Sequence, residues 1–409
     1  MKNYINGINP YIKDIFLALF TASMFSAFIY FEHFGLTCKL CNSLFAVVAI
    51  ASLLYSSKRV VLFSGFFIGL LWFYWIGFSF KYYGMGTWVE PLVALGFALI
   101  YTLFFGTLAL TKKVYIRALI LFGLSFIEPF GFNWMKIELL FVESYFGISK
   151  LDLAFILTAL ALPSFFKGRY KYAPLLLISA ALSFSHQELK LPPLKIDLAS
   201  TNLKQDEKWD RANLPRIINM NLSSIDDAIN EGYDVVVLPE SAFPLYLNHD
   251  PELLYYLSEK SKDISIITGA LISEKGRHFN VTYHFHDGNY TIAKKMILVP
   301  FGEYIPLPRF AQKWVSDTFF DGASDFSVAS TPTDFTIKGV KFRNAICYEA
   351  TKDELYLNDP QYIIAVSNNA WFLPSIEPTL QRLLLKYYSK KYGTIIFHSA
   401  NRAGTAIIK

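Results

Sequence analysis

The chain has 409 residues, 53% of them hydrophobic and only 17% charged, with a mean hydropathy of +0.33. That is too apolar for one soluble enzyme of this length, which suffices for two or three domains. The net charge of +5 is too small to suggest nucleic-acid binding and suits contact with anionic lipid.

The apolar excess lies before about residue 186. A membrane span needs roughly 20 mostly apolar residues. Seven segments are read as spans, near 12–31, 40–57, 60–80, 89–110, 114–131, 151–166 and 170–185. The first is not read as a cleaved signal peptide, because no small-x-small site follows it and further spans do. Lysine and arginine set the orientation. The N-terminus and the even loops carry ten, Lys2, Lys13, Lys58, Arg59, Lys112, Lys113, Arg117, Lys167, Arg169 and Lys171, against Lys39, Lys81, Lys136 and Lys150 in the odd loops. The bias predicts a cytoplasmic N-terminus. Seven spans then put everything after residue 186 outside. The expected organisation is a polytopic helical membrane domain over 1–186 and an α/β domain over 187–409.

The outer half alternates strand and helix. Strands are predicted at 195–201, 235–238 and 264–271, with helices at 215–231 and 251–262. Residues 279–297 read as a hairpin around Asp287-Gly288-Asn289. Strands near 335–347 and 361–367, a helix near 376–391 and a strand pair near 394–408 complete the chain. Such a pattern suggests stacked layers of helix and sheet.

Three blocks in this half carry chemistry: Leu-Pro-Glu240-Ser, Lys295-Met-Ile-Leu-Val-Pro-Phe-Gly-Glu303 and Asn-Ala-Ile-Cys347-Tyr-Glu349. A thiol attacks best as thiolate and needs a base to take its proton. The acyl oxyanion then needs a positive or N–H partner. A carboxylate, an ammonium and a thiol, each beside a strand-like run, are the parts of a cysteine acyltransferase. Glu240 and Cys347 both fall at C-terminal ends of predicted strands, where open α/β sheets place ligand groups. No Gly-x-Ser-x-Gly supports a serine hydrolase.

These blocks resemble those of the apolipoprotein N-acyltransferases, membrane members of the nitrilase superfamily. The resemblance runs over most of the chain. It includes Gly65-Phe-Phe-Ile-Gly69 with Trp72-Phe-Tyr-Trp75, and Phe126-Ile-Glu128 through Phe132-Asn-Trp134. It continues through Asn202-Leu-Lys-Gln205-Asp-Glu-Lys-Trp209, Val-Leu-Pro-Glu240-Ser-Ala and Pro-Phe-Gly-Glu303-Tyr-Ile-Pro306. Cys347-Tyr348-Glu349, Ser367-Asn-Asn-Ala-Trp371-Phe372 and Asn401-Arg402-Ala-Gly-Thr405 follow in family order.

The resemblance implies an α-β-β-α sandwich on a multi-pass anchor in the bacterial inner membrane, with the catalytic domain facing the periplasm. It implies acyl transfer from a membrane phospholipid, through a cysteine thioester, to the N-terminal amine of diacylglyceryl-cysteine on an apolipoprotein, with no cofactor. Glu240 matches the general base, Lys295 the oxyanion-stabilising lysine and Cys347 the nucleophile. Lys294 is the rival lysine, and spacing to Pro300-Phe-Gly-Glu303 favours Lys295. Glu303, Tyr348 and Glu349 match supporting residues, and the Tyr348 N–H is a second candidate oxyanion donor. Trp371 and Phe372 are candidates for guiding lipid, with a core role as the competing reading.

Two departures stand out. Pro129-Phe130 follow Glu128 where the family tends to carry an arginine, and the family continues past the Arg402-Ala-Gly-Thr405 strand to an eighth span, whereas this sequence ends at Lys409, so its C-terminal end reads as short. Cys38 and Cys41 read as a local disulfide or two free thiols rather than a redox or metal site. His284 and His286 share a strand face, lack a third ligand and are expected to be solvated, so no metal is expected. The competing functions are a nitrilase-type membrane amidase or acyltransferase with another acceptor, and a non-catalytic lipid-binding membrane protein.

Overall fold

The computed structural model describes residues 9–184, 188–300, 303–304 and 326–409. Phe301-Gly302 and Ile305-Pro306 of the second block, and the expected boundary at residue 186, lie outside the described residues. The chain divides into two compact units. One holds Met1–Phe80, Gly86–Pro129 and Met135–His186; the other holds Lys81–Met85, Phe130–Trp134 and Gln187–Lys409.

The first unit is helical: α1 (Pro10–His33), α2 (Lys39–Tyr55), α3 (Lys58–Phe73), α4 (Val89–Gly106), α5 (Val114–Leu124) and α6 (Lys150–Ala161). Among the described residues, four helical stretches are long and apolar enough to cross a membrane: Pro10–His33, Lys58–Tyr82, Val89–Leu110 and Val114–Gly131. The other three expected segments are shorter or tighter. α2 has 17 residues, and α6 has 12 before the chain tightens at Leu162–Ser164, around Pro163. Arg169–Ala181 is a 3₁₀ helix of 13 residues with Pro174 inside it. At a rise of about 2 Å per residue it reaches about 26 Å.

Close helix packing in this unit rests on small residues. A Cβ on Gly65 would meet the Tyr101 carbonyl at 2.6 Å, and one on Gly69 the Phe97 carbonyl at 2.9 Å. The four-residue spacing puts both glycines on the α3 face that meets α4. Buried Arg117 donates to the carbonyls of Leu54 (3.1 Å), Ser56 (2.6 Å) and Thr111 (3.0 Å), satisfying the end of α2. Cys38 and Cys41 form a disulfide at the start of α2.

The second unit is a sandwich of two five-stranded sheets, ordered β1-β2-β3-β4-β5 and β10-β9-β8-β7-β6. The strands are β1 (Ile196–Leu198), β2 (Val235–Val237), β3 (Ser265–Glu274), β4 (Arg277–His286), β5 (Asn289–Lys294), β6 (Asp334–Ile337), β7 (Val340–Ile346), β8 (Tyr362–Asn368), β9 (Ile395–Asn401) and β10 (Ala406–Ile408). The helices are α7 (Gln205–Trp209), α8 (Leu214–Asn230), α9 (Pro251–Lys260) and α10 (Glu377–Tyr392).

Strand alternation builds the layers. Val235, Val237 and Ile267 point to an inner core shared with Phe342, Ile346, Ile364, Val366 and Phe397 of the other sheet. Val236 and Ile266 point the other way, onto Ile225 and Ala228 of α8 and Leu253 and Leu257 of α9. Helix α10 packs on the second sheet through β9 and β10. Each such buried Val, Ile, Leu or Phe stabilises by about 1.5–3 kcal/mol. The unit is therefore the α-β-β-α sandwich that the resemblance implies. The β4–β5 hairpin turns at Asp287 (φ 48°) and Gly288 (φ 76°), the two positive φ values of a tight hairpin turn.

One sequence expectation is corrected. His284 is not solvated: it is 5% exposed, its ring stacks on His286 and meets Phe335 at a tilt, and its Nε2 has no hydrogen-bond partner among the described residues. The strand lies inside the sandwich, so its polar alternation does not mark a wet face. Burial, aided by His286, lowers the His284 pKa from 6.5 to about 4, and burial lowers His398 likewise to about 4. The unfolded chain therefore binds protons over that interval that the folded chain does not. Stability should fall as pH drops from about 6.5 to about 4. His284→Phe keeps the ring packing and removes one proton site, so it should flatten this dependence. Thermal unfolding against pH in detergent measures it; an unchanged slope would contradict the assignment.

Candidate active site

The ends of three strands carry the site. β2 runs out at Val237, and the Leu238 N–H bonds to the Ile267 carbonyl at 2.8 Å, keeping the chain on the sheet edge up to Glu240. Ser241 then takes φ 48° and turns the chain. The next strand passes unusually close: a Cβ on Gly269 would lie 2.3 Å from the Ser241 nitrogen and 2.6 Å from the Glu240 Cα. Only glycine fits there without moving the turn. Glu240 is 7% exposed, and its Oε1 accepts a hydrogen bond from Asn280 Nδ2 at 2.8 Å.

Asn280, on β4, also fixes the lysine: its carbonyl accepts the Lys295 N–H at 2.9 Å. Lys294 and Lys295 follow strand alternation to opposite sides. The Lys294 ammonium lies 2.6 Å from Glu274 and over the Phe279 ring, partly exposed. The Lys295 ammonium is 1% exposed, 2.7 Å from Glu303 and 3.9 Å from Glu240 Oε1. Burial works against its charge, but Glu303 and Glu240 outweigh it and hold the ammonium above its ordinary pKa. Glu303 is itself held by the Val299 N–H at 2.9 Å.

Cys347 directly follows β7 with φ 55°, a left-handed conformation that a cysteine adopts only under constraint. It opens the short helical turn Cys347–Thr351 and stays partly accessible. Burial, then Glu240, push its thiol well above the usual range, while Lys295 pulls the other way. A resting thiol of this kind keeps its proton until a base takes it.

Glu349 stitches the blocks together. Its carboxylate accepts from the N–H groups of Ile346 (2.7 Å), Met296 (2.7 Å) and Ile297 (3.1 Å). Burial nevertheless raises its pKa to about 7. Tyr348 turns its ring onto Phe132, with centroids 5.9 Å apart and planes 7° from parallel, and its hydroxyl donates to the Gly131 carbonyl at 3.2 Å. Asn133 donates to the Thr351 carbonyl and to the Tyr388 hydroxyl, and Trp134 Nε1 to Thr351 Oγ1 at 3.0 Å. The segment Phe130–Trp134 thus braces the turn that carries Cys347 within the second unit.

Glu240, Lys295, Glu303, Cys347 and Glu349 come together, with Tyr348 at their edge. Trp371 and Phe372 follow β8 and are half-buried, the Trp371 ring 5.5 Å from that of Tyr82. Four further buried polar residues escaped the sequence reading. Asn280 is one. Lys208 donates to the Glu240 carbonyl at 2.7 Å, its ammonium lowered to about 8 by burial against the pull of Glu240. Gln381 Nε2 lies 3.9 Å from Cys347 Sγ and 3.3 Å from Ser367 Oγ, which also meets His398 Nε2 at 2.8 Å. Glu377 is buried at the start of α10. An amide among the leucines of α10 could have signalled Gln381, whereas the polar run Gln205-Asp-Glu-Lys208 does not mark Lys208. Among the described residues no group of three or more His, Cys, Asp or Glu is disposed to hold a metal. The arrangement can take up a thiol proton and neutralise an oxyanion beside a largely buried ammonium.

Comparison with known proteins bears on the whole chain. A protein of Wolinella succinogenes named apolipoprotein N-acyltransferase is 45% identical over 398 residues, covering 97% of this chain and 96% of that protein. One of the same name from Helicobacter hepaticus is 40% identical over 377 residues, covering 90% and 93%. The sequence profile described as the apolipoprotein N-acyltransferase integral membrane domain matches residues 12–184. A solved CN-hydrolase superfamily protein from Xanthomonas campestris is similar at a TM-score of 0.38 and 12% identity, covering 52% of this chain and 77% of that one.

Proposed function

The chain belongs to the apolipoprotein N-acyltransferase family and is a multi-pass membrane N-acyltransferase, and on that premise we propose that it acylates lipoproteins through a thioester on Cys347. The observation that carries this reading is the cluster of buried Lys295 and Glu240 with partly buried Glu303, beside a strained thiol whose pKa is held high.

In the first half-reaction Glu240 takes the Cys347 proton and Sγ attacks an ester carbonyl of a membrane phospholipid. Lys295 meets the oxyanion. The C–O bond breaks, the lysophospholipid oxygen takes the proton from Glu240, and the acyl chain remains on Cys347. In the second, the α-amine of a diacylglyceryl-cysteine attacks the thioester. The C–N bond forms, the C–S bond breaks, and Glu240 passes an amine proton to the departing thiolate. Glu303 keeps Lys295 charged and aimed. Glu349 holds the Cys347 turn against the segment after Lys295. Trp371 and Phe372 guide lipid at the mouth.

Mass spectrometry of lipoprotein N-termini tests the function. Cells with the chain should yield three acyl chains per N-terminal cysteine and cells without it two; two in both would refute the reading.

Gly269→Ala should push the Glu240 turn out of place. A misplacement of about 1 Å costs on the order of a hundredfold in rate. Steady-state acylation by the variant, with thermal unfolding measured alongside, checks this; wild-type rates would show that the turn yields freely.

The inner membrane and a periplasmic catalytic domain are the proposed location, supported by the lysine and arginine bias of the loops. A reporter active only outside the cytoplasm, fused near residue 200, should be active. Activity of a cytoplasm-only reporter there would overturn this orientation.

A further inference from the structure

We propose that Glu377 receives the amino group of the acyl acceptor at the Cys347 thioester, as a further carboxylate of the site beside Glu240. The inference rests on the function proposed above and names the residue that handles its second substrate.

Glu377 is the first residue of α10, backed by Pro378, with its N–H bonded to Ser375 Oγ at 3.1 Å. A carboxylate in the first turn of a helix is ordinarily solvated. This one is 1% exposed, and its Oε2 has no hydrogen-bond partner among the described residues. Burying an unpaired carboxylate is strongly unfavourable. Burial and the neighbouring Glu240 accordingly hold its pKa well above the carboxylate range, so it is neutral in the empty site.

Its place is at the thiol. Gln381 stands four residues on, on the same face of α10, and reaches Cys347 Sγ at 3.9 Å. Glu377 also lies near enough to Cys347 to act on its proton affinity. The first half-reaction has no use for it. Glu240 is the base and Lys295 the oxyanion partner. The phospholipid ester offers only acceptor oxygens, and its phosphate is anionic.

A buried, unpaired acid calls for a cation or a donor brought by a substrate. Two reactant groups are primary ammonium ions: the α-amine of the acceptor and the head group of an ethanolamine lipid. The attacking nitrogen must come within about 3–3.5 Å of the thioester carbon, which is bonded to Cys347 Sγ. The head-group ammonium is separated from the scissile ester by the glycerol and phosphate. Proximity to Cys347 therefore selects the acceptor.

The protons balance. The acceptor docks as its ammonium, and Glu377 releases its own proton to solvent to pair with it. One ammonium proton passes to Glu240 and on to the departing thiolate. A second passes to Glu377 as the C–N bond forms and the C–S bond breaks, and the third stays on the amide. Glu377 ends neutral, as it began.

The test uses the full-length enzyme in mixed micelles, with Glu377→Gln as the isosteric variant and Glu377→Ala as the second. Two rates are read: thioester formation on Cys347 from phosphatidylethanolamine or phosphatidylglycerol, and transfer from the preformed thioester to a diacylglyceryl-cysteine peptide. The ratio of transfer to formation should fall by about tenfold or more in both variants, with a higher KM for the peptide. Parallel loss of both rates, or no change in either, would overturn the assignment. A loss confined to thioester formation from the ethanolamine lipid would overturn it in favour of the head group. If the wild type forms no thioester, the functional reading itself fails, and this inference with it.

Discussion

Replacing Cys347 with alanine should abolish acyl transfer while leaving the fold intact. Removing a partly buried sulfur costs at most a few kcal/mol, and alanine tolerates the φ of 55° at this turn no worse than cysteine does. Losing a catalytic nucleophile costs on the order of a million-fold in rate. Cys347→Ser should be nearly as inactive. Its hydroxyl is a far weaker nucleophile than a thiolate, and Glu240 would have to remove a proton from a much weaker acid. The measurement is N-acylation of a diacylglyceryl peptide by each variant, with thermal unfolding as the control for folding. A Cys347→Ala variant that acylates at the wild-type rate would remove the thiol from the mechanism.

Lys295→Ala should be the second severe loss, and Lys294→Ala should be mild. The two side chains leave adjacent backbone positions for opposite environments. Lys295 is enclosed with Glu303 and Glu240, whereas Lys294 meets Glu274 at the partly exposed edge. Removing one donor to a developing oxyanion costs about a hundredfold to a thousandfold. Removing a partly exposed ion pair costs about 0–1 kcal/mol of stability and should leave turnover within about twofold, as expected of a side chain outside the site. Lys295→Ala also leaves buried Glu240 and partly buried Glu303 without their cation, so some loss of stability should accompany the loss of rate. Thioester formation and unfolding, read together, separate the two effects. Reversed outcomes for the two lysines would shift the assignment by one residue, and full activity in both would exclude either from the chemistry.

Much of this architecture was legible because it is local. Val235-Val-Val is short, β-branched and flanked by turn residues. The Asp287-Gly288 turn announces its own hairpin. α8 shows its apolar face through Ile217, Ile225 and Ala228. The region 335–347 was read without its turn, although Lys338 and Gly339, with φ of 46° and 82°, separate β6 from β7 there. In the helical unit, hydropathy marked apolar segments but not their geometry. Pro163 and Pro174 shorten or tighten the last two, which a window average does not register.

The site was legible where an unusual residue sits beside a strand. Glu240, Lys295 and Cys347 each sit beside an apolar run, and the structure brings them together. The polar residues supporting them were not legible. Lys208, Asn280, Glu377 and Gln381 read as ordinary polar positions of helices and a strand. Their burial arises from packing against segments far away in sequence. Asn280 contacts Glu240 forty residues upstream, and Gln381 contacts Cys347 across 34. His284 misled for the same reason, since alternation fixes which residues share a face but not whether that face is wet.

The most direct test of the central claim is the mass of the peptide carrying Cys347 after the enzyme meets phospholipid without acceptor. The account predicts an added fatty-acyl group on Cys347, released by hydroxylamine and discharged when a diacylglyceryl-cysteine peptide is supplied. N-acylation that proceeds at full rate with Cys347 never acylated would contradict it.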